Sequence, residues 1–220
     1  MAMPADLLRS WLGPQPWLDG QLAAIAGGDE TALYLSLGQA GRRVGRTALA
    51  VDAAQAQVAR PGWDPRAWSS DQAARSLLIL ALPAADAPRW LVTLERCWHA
   101  ATVEELVALY QALPLLPHPE LLAARAAEGV RSSMTPVFAA VALANPFPAE
   151  RLGEAAFNQM VLKGFFTGCD SAAIVGLTRR LNPDLGRMLA DYARERRIAK
   201  RPLDPALPPL ARACGAACPD

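Results

Sequence analysis

A chain of 220 residues that is 52% hydrophobic and 20% charged carries enough apolar material for a proper core, and its composition is globular rather than disordered. Its net charge of +1 supplies no whole-protein field for nucleic acid or an acidic membrane, so nucleic-acid binding is not expected. No stretch reaches the roughly 18–20 apolar residues that a membrane span needs; the best run lies within Ser76–Pro83 and suits a buried helix.

The opening Met-Ala-Met-Pro-Ala-Asp has neither a basic nor an apolar leader region, so no secretory signal is expected and the cytoplasm is the expected compartment. Four cysteines (Cys97, Cys169, Cys214 and Cys218) and two histidines (His99 and His118) do not make the paired spacing of a zinc site. Neither a metal nor a cofactor is expected. The chain shows no glycine-rich phosphate loop, no nucleophile elbow and no His-Glu-x-x-His motif.

Helical periodicity dominates, and period-two alternation is missing. Asp29 precedes a run in which Leu33, Tyr34, Leu37 and Val44 recur at helical spacing. The alanine-rich Arg46–Val58 reads as a further helix, ended by Pro61-Gly62. Ser69 or Ser70 caps the next, which runs through Leu77–Leu82 to Pro83. Pro88 suits the first turn of a helix over Arg89–Ala100. Thr102-Val-Glu-Glu105 is a capping box that opens a helix bearing Leu106, Leu109, Tyr110 and Leu113. His118-Pro119 opens another, Pro136 opens Val137–Ala144, Pro148 opens Ala149–Phe166, and Asn182-Pro183 opens Asp184–Lys200.

These signals predict an all-α fold of about ten helices joined by short turns, and short connections favour antiparallel helical hairpins. Two architectures fit. From Ser69 onward successive pairs recur about every 35–45 residues, the period of a HEAT-like α-solenoid; the pairs show no self-similarity, which suits an irregular helical bundle. Residues 1–201 are expected to form a single helical domain. The proline-rich 202–220 is expected to be an extended, flexible tail.

The segment Phe157–Arg201 is the most distinctive. On a helix Phe157, Met160, Val161, Gly164 and Phe165 share an apolar face, and Gln159 and Lys163 form an i, i+4 pair. Lys163 sits between Leu162 and Phe165-Phe166, so two roles are open. Burial would depress its pKa and make it a candidate nucleophile or base. Alternatively its stem covers apolar surface while the ammonium reaches a carboxylate or the carbonyls at a helix C-terminus. Asn182 is a good N-cap, with Pro183 at the first helical position and Asp184 beside the helix dipole. The following helix buries Leu185, Met188, Leu189 and Tyr192. Its charged face bears Asp184, Arg187, Asp191, Arg194 and Glu195 at ion-pair spacing. That face reads either as solvated ion pairs or as an anion- or partner-binding surface using Arg179, Arg180 and Arg187. Candidate ligand- or partner-binding residues are therefore Asn158, Gln159, Lys163, Arg179, Arg180, Asn182, Arg187, Asp191, Tyr192 and Glu195; no catalytic residue is assigned.

The run Phe157-Asn-Gln-Met-Val-Leu-Lys163, then Gly176-Leu-Thr-Arg-Arg-Leu-Asn-Pro-Asp-Leu185, then Asp191-Tyr-Ala-Arg-Glu-Arg-Arg-Ile-Ala199 resembles the signature of the EboA family. Trp68–Pro83 is also similar to a helix of that family. The chain departs at Thr178, Leu181, Arg194 and Arg197, where the family pattern has Asp, Ala, His and Trp. The missing histidine and tryptophan weaken any chemistry built on those side chains. The resemblance implies a bacterial helical protein whose gene neighbours encode a membrane prenyltransferase and sugar-metabolism-like enzymes, in a cluster that makes or moves a secreted metabolite. Two functions are in view. One is a non-catalytic adaptor or carrier that works with other proteins of that pathway. The other is an enzyme or small-molecule binder with a pocket lined by Asn158, Gln159, Lys163, Arg180 and Tyr192.

Overall fold

Helix starts along the chain coincide with prolines and capping side chains. A computed structural model describes residues 3–218; Met1 and Ala2 of the opening stretch and Pro219 and Asp220 of the tail lie outside the described residues. The described residues contain thirteen α-helices and no β-strand. These are α1 (Pro4–Leu12), α2 (Pro16–Ala26), α3 (Glu30–Val44), α4 (Ala53–Ala59), α5 (Ser70–Leu80), α6 (Ala87–Ala100), α7 (Val103–Ala112), α8 (Ala123–Arg131), α9 (Thr135–Ala142), α10 (Phe147–Arg151), α11 (Glu154–Thr167), α12 (Pro183–Ile198) and α13 (Leu207–Ala213). Proline occupies the first turn of α1, α2, α6, α9, α10, α12 and α13, where its missing N–H costs no helical bond. No helix among the described residues is long and apolar enough to cross a membrane.

The predicted caps form. Asp29 accepts the Ala32 amide at 2.9 Å. Thr102 and Glu105 make the reciprocal bonds of a capping box, and Ser69 pairs with Gln72 in another. Asn182 accepts the Leu185 amide at 2.8 Å.

Three elements differ from expectation. The helix expected over Arg46–Val58 starts only at Ala53, because Asp52 accepts the amides of Ala54 and Gln55 and so caps there. The chain before it is extended instead. Leu49 donates its amide to the Trp68 carbonyl, and Ser70 donates to that of Thr47, tying this stretch to the start of α5. The single helix expected over Ala149–Phe166 is divided into α10 and α11, with Leu152 and Gly153 extended between them. The tail expected to be extended folds back. There α13 buries Leu207, Pro208 and Ala211, and it packs along α12. Gly186 permits this approach: a Cβ there would stand 2.7 Å from the Cys214 Cβ.

Packing centres on α5, which is buried from Ser70 to Ile79 apart from Gln72 and is in contact with α1, α2, α3 and α7. From α7 onward the contacts run through α9, α8, α11, α12 and α13. Trp63, Trp90, Phe138, Phe147 and Phe157 are fully enclosed in one continuous core. Burying each such aromatic contributes on the order of 2–3 kcal/mol.

A buried ion pair fastens α5. Asp71 and Arg75 are both about 95% covered, and the guanidinium meets the carboxylate at 2.5 Å. Arg75 also donates to the Leu37 carbonyl of α3 at 3.0 Å, and Ser69 donates its hydroxyl to Asp71. The Nε and Nη1 groups of Arg75 and both oxygens of Asp71 therefore have partners, which help such a pair to offset its desolvation.

Candidate functional site

The signature residues of the 157–201 segment divide among three places. The first is the junction of α10, α11 and α12. Asn158, buried on α11, and Asn182, at the start of α12, exchange amide hydrogen bonds of 3.0 and 2.9 Å. The Asn182 amide nitrogen also donates to the Arg180 carbonyl. Arg180 in turn donates to the carbonyls of Ala149 and Leu152 at 2.7 and 2.9 Å, and its guanidinium lies 4.6 Å over the Phe157 ring. These carbonyls are the ones α10 leaves unpaired at its C-terminus, so Arg180 is a helix cap reaching in from a distant segment. Together, these residues lock the two signature helices to each other.

The second place is the outer face of α12. Arg187 pairs with Asp184 at 3.0 Å, and Arg194 with Asp191 at 2.8 Å. All four side chains are more than half exposed, so each pair contributes at most about 1 kcal/mol. Glu195 and Arg179 are exposed as well. Tyr192 is buried on another side, where its ring packs 4.4 Å from that of Phe166.

The third place is a groove of about 830 Å³ between α8 and α11. Val130, Ala156 and Met160 contribute apolar surface; Arg131, Gln159 and Lys163 bring polar groups. Lys163 donates to the carbonyls of Val130 and Ser132 at 2.8 and 2.6 Å, and its ammonium lies 4.7 Å over the Phe138 ring. Burial pushes the Lys163 pKa below its ordinary value. The two carbonyl acceptors act the other way, because they favour the charged form. Of the two roles open from sequence, the geometry is that of the ammonium capping the C-terminus of α8. The pocket expected from Asn158, Gln159, Lys163, Arg180 and Tyr192 is thus not one space: only Gln159 and Lys163 line the groove.

The partners of these side chains lie far off in sequence. Lys163 reaches back 33 residues and Arg180 reaches back 31, so no local spacing could have revealed them. Arg131 belongs to no motif and is absent from the candidates named from sequence. Its position in the last turn of α8, a cation at a helix C-terminus, was the available signal. The only local signal for the buried Asp71–Arg75 pair is its opposite charges at i, i+4 just before the apolar Leu77–Leu80.

Among the described residues no group of three or more His, Cys, Asp or Glu side chains could hold a metal ion. Comparison with curated proteins and with solved structures gives no match. The family model described as "Metabolite traffic protein EboA" matches residues 5–211, nearly the whole chain. The match includes the docked α13 up to Ala211 and all three places where the signature residues lie. This chain belongs to the EboA family.

Proposed function

We propose that this chain is a non-catalytic carrier in the biosynthesis or export of a secreted metabolite, prenylated or sugar-derived, and that it works in the cytoplasm beside the pathway's other proteins, a membrane prenyltransferase among them. It holds an apolar part of the metabolite in the α8–α11 groove. The observation that carries this reading is the groove itself: about 830 Å³, with apolar walls, and with Gln159 and Arg131 placed to orient a polar group. The family's description as a metabolite traffic protein supports it. So does the use of the most distinctive polar side chains, Lys163, Arg180, Asn158 and Asn182, to close helix ends and join helices. The contacts running from α7 to α13 suit a HEAT-like stacking of helices that leaves a long face for a protein partner.

The test is a groove-filling variant. Ala155 lines the groove and is exposed, so Ala155→Trp occupies the space without entering the core. Protein isolated from its native host is extracted and the bound small molecules are identified by mass spectrometry. The wild type is expected to retain a compound that Ala155→Trp loses. Equal amounts on both proteins, or no retained compound on either, would refute the carrier reading at this groove.

A further inference from the structure

Helices α11 and α12 run side by side in one direction. Asn158 joins Asn182 near their starts, and the Phe166 ring packs 4.4 Å from that of Tyr192 near their ends, so both C-termini emerge at the same end of the pair. Two bulky apolar side chains are bare there. Ile198 is 77% exposed, the most of any large apolar side chain among the described residues, and Phe166 is 61% exposed. Ile198 stands six residues beyond Tyr192, about 9 Å along α12.

The chain's charge is concentrated at this end. Residues 191–201 hold five cations (Arg194, Arg196, Arg197, Lys200 and Arg201) against Asp191 and Glu195, a net +3 in a chain whose total is +1. The remainder is net −2. Asp191 pairs with Arg194 at 2.8 Å. The next acids along the chain from the two helix ends, Asp170 and Asp204, face the backbone amides of Ala172 and Ala206. The Arg196 guanidinium lies 5.9 Å over the Tyr192 ring, which ties the cations to the exposed Phe166. Cations suit the carbonyl end of any helix, and Arg196 does donate to the Pro202 carbonyl. That accounts for the charge, but not for two bare apolar side chains beside it.

A surface with negative charge over an apolar interior meets both features at once. Anionic headgroups attract clustered Lys and Arg, and an apolar side chain among them enters the acyl layer below. A nucleic acid would use the cations and could stack on Phe166, but it offers Ile198 nothing apolar to enter. We infer that this end of α11 and α12 docks the chain on an anionic phospholipid bilayer, with Ile198 and Phe166 inserted and Arg197, Lys200 and Arg201 over the headgroups. The docking is peripheral, since no helix among the described residues is long and apolar enough to cross a membrane. It does not rest on the carrier reading, because none of these residues lines the α8–α11 groove.

The experiment sediments full-length protein with vesicles of phosphatidylcholine alone and of equal parts phosphatidylcholine and phosphatidylglycerol, at low and at physiological ionic strength. Binding is expected to the mixed vesicles only, and it should weaken as salt rises. Each cation near an anionic surface is worth about fivefold, so Lys200→Gln with Arg201→Gln should weaken binding about 25-fold. Ile198→Ser changes no charge and lies outside the core, so it should fold like the wild type and bind about tenfold less tightly. Arg42→Gln with Arg43→Gln removes the same charge from the last turn of α3 and should leave binding unchanged. The inference is overturned if the mixed vesicles do not bind at low salt, if phosphatidylcholine alone binds as well, if the α3 variant loses as much as the Lys200 and Arg201 variant, or if Ile198→Ser binds unchanged. That last result, together with binding of an oligonucleotide at physiological salt, would assign the cations to nucleic acid instead.

Discussion

Replacing Gly186 by alanine separates the docking of the C-terminal segment from the stability of everything else. Gly186 lies buried on α12, under α13 and the turn that follows it. The added Cβ would sit 2.7 Å from the Cys214 Cβ and 3.1 Å from both the Cys214 carbonyl oxygen and the Ala216 Cβ. Overpacking of this kind costs about 1–3 kcal/mol. The strain exists only while the tail is docked, and α13 has seven residues, too few to persist alone. Alanine also favours the helical form of α12 over the unfolded chain, docked or not, by about 1 kcal/mol relative to glycine. The local opening equilibrium should therefore shift by about 1–3 kcal/mol, a factor of roughly 5–150 in the open population, while the midpoint of thermal unfolding stays level or falls by less, because the helix gain offsets part of the strain. Cys214 reports the opening, because it is 6% exposed when docked. With Cys169 and Cys218 replaced by serine, the alkylation rate of Cys214 should rise by that factor on Gly186→Ala. Cys97, buried in the core, serves as the internal reference. An unchanged Cys214 rate would refute the docking of α13 against Gly186.

Two further outcomes follow from the site and its surroundings. Lys163→Met keeps the apolar stem but leaves the Val130 and Ser132 carbonyls without their donor; it should cost about 2 kcal/mol, or about 4–8 °C in the calorimetric midpoint, and an unchanged midpoint would count against the capping role. Alkaline pH should destabilise the fold, since burial pushes both the Cys97 thiol and the Tyr110 phenol up to about 12. The folded state holds these protons longer than the unfolded chain does, so their contribution is complete below the unfolded pKa values and declines as pH climbs through them toward 12, by about 1.4 kcal/mol per unit for each group. Urea midpoints measured between about pH 8 and about pH 11 should fall, and less steeply for Cys97→Ala and Tyr110→Phe; a flat profile would contradict the burial of both groups.

Helix starts were the most legible part of the fold, because caps are local. Asp29, Ser69, Thr102 and Asn182 each bond to an amide or side chain three residues away. Helix ends and interruptions were less legible. The break between α10 and α11 depends on Arg180, whose guanidinium takes over carbonyls about 30 residues upstream. The extended path of Arg46–Asp52 depends on backbone bonds to Thr47 and Leu49 from the approach to α5. The tail departs from its expected extended form for a related reason: its prolines mark helix starts as readily as extended chain, and only the surface of α12 selects the helix.

The amino-acid sequence by itself determined the helical class, most of the capping pattern, and the distinctive character of Phe157–Arg201, because those features rest on periodicity and on bonds within one turn. It also marked out the family, through a run of residues on α11, α12 and the turns between them. Which of those residues face a cavity was decided by tertiary structure alone. Lys163 and Gln159 meet α8 across a groove, Arg180 meets α10, and Arg187 and Asp191 face solvent. The cavity among α6, α7, α8 and α9 is further still from any motif: it draws Trp98, Tyr110 and Arg131 from three helices that only packing brings together. A polar side chain's partner is set by where its helix docks, and docking is a sum over many apolar contacts that no short spacing records.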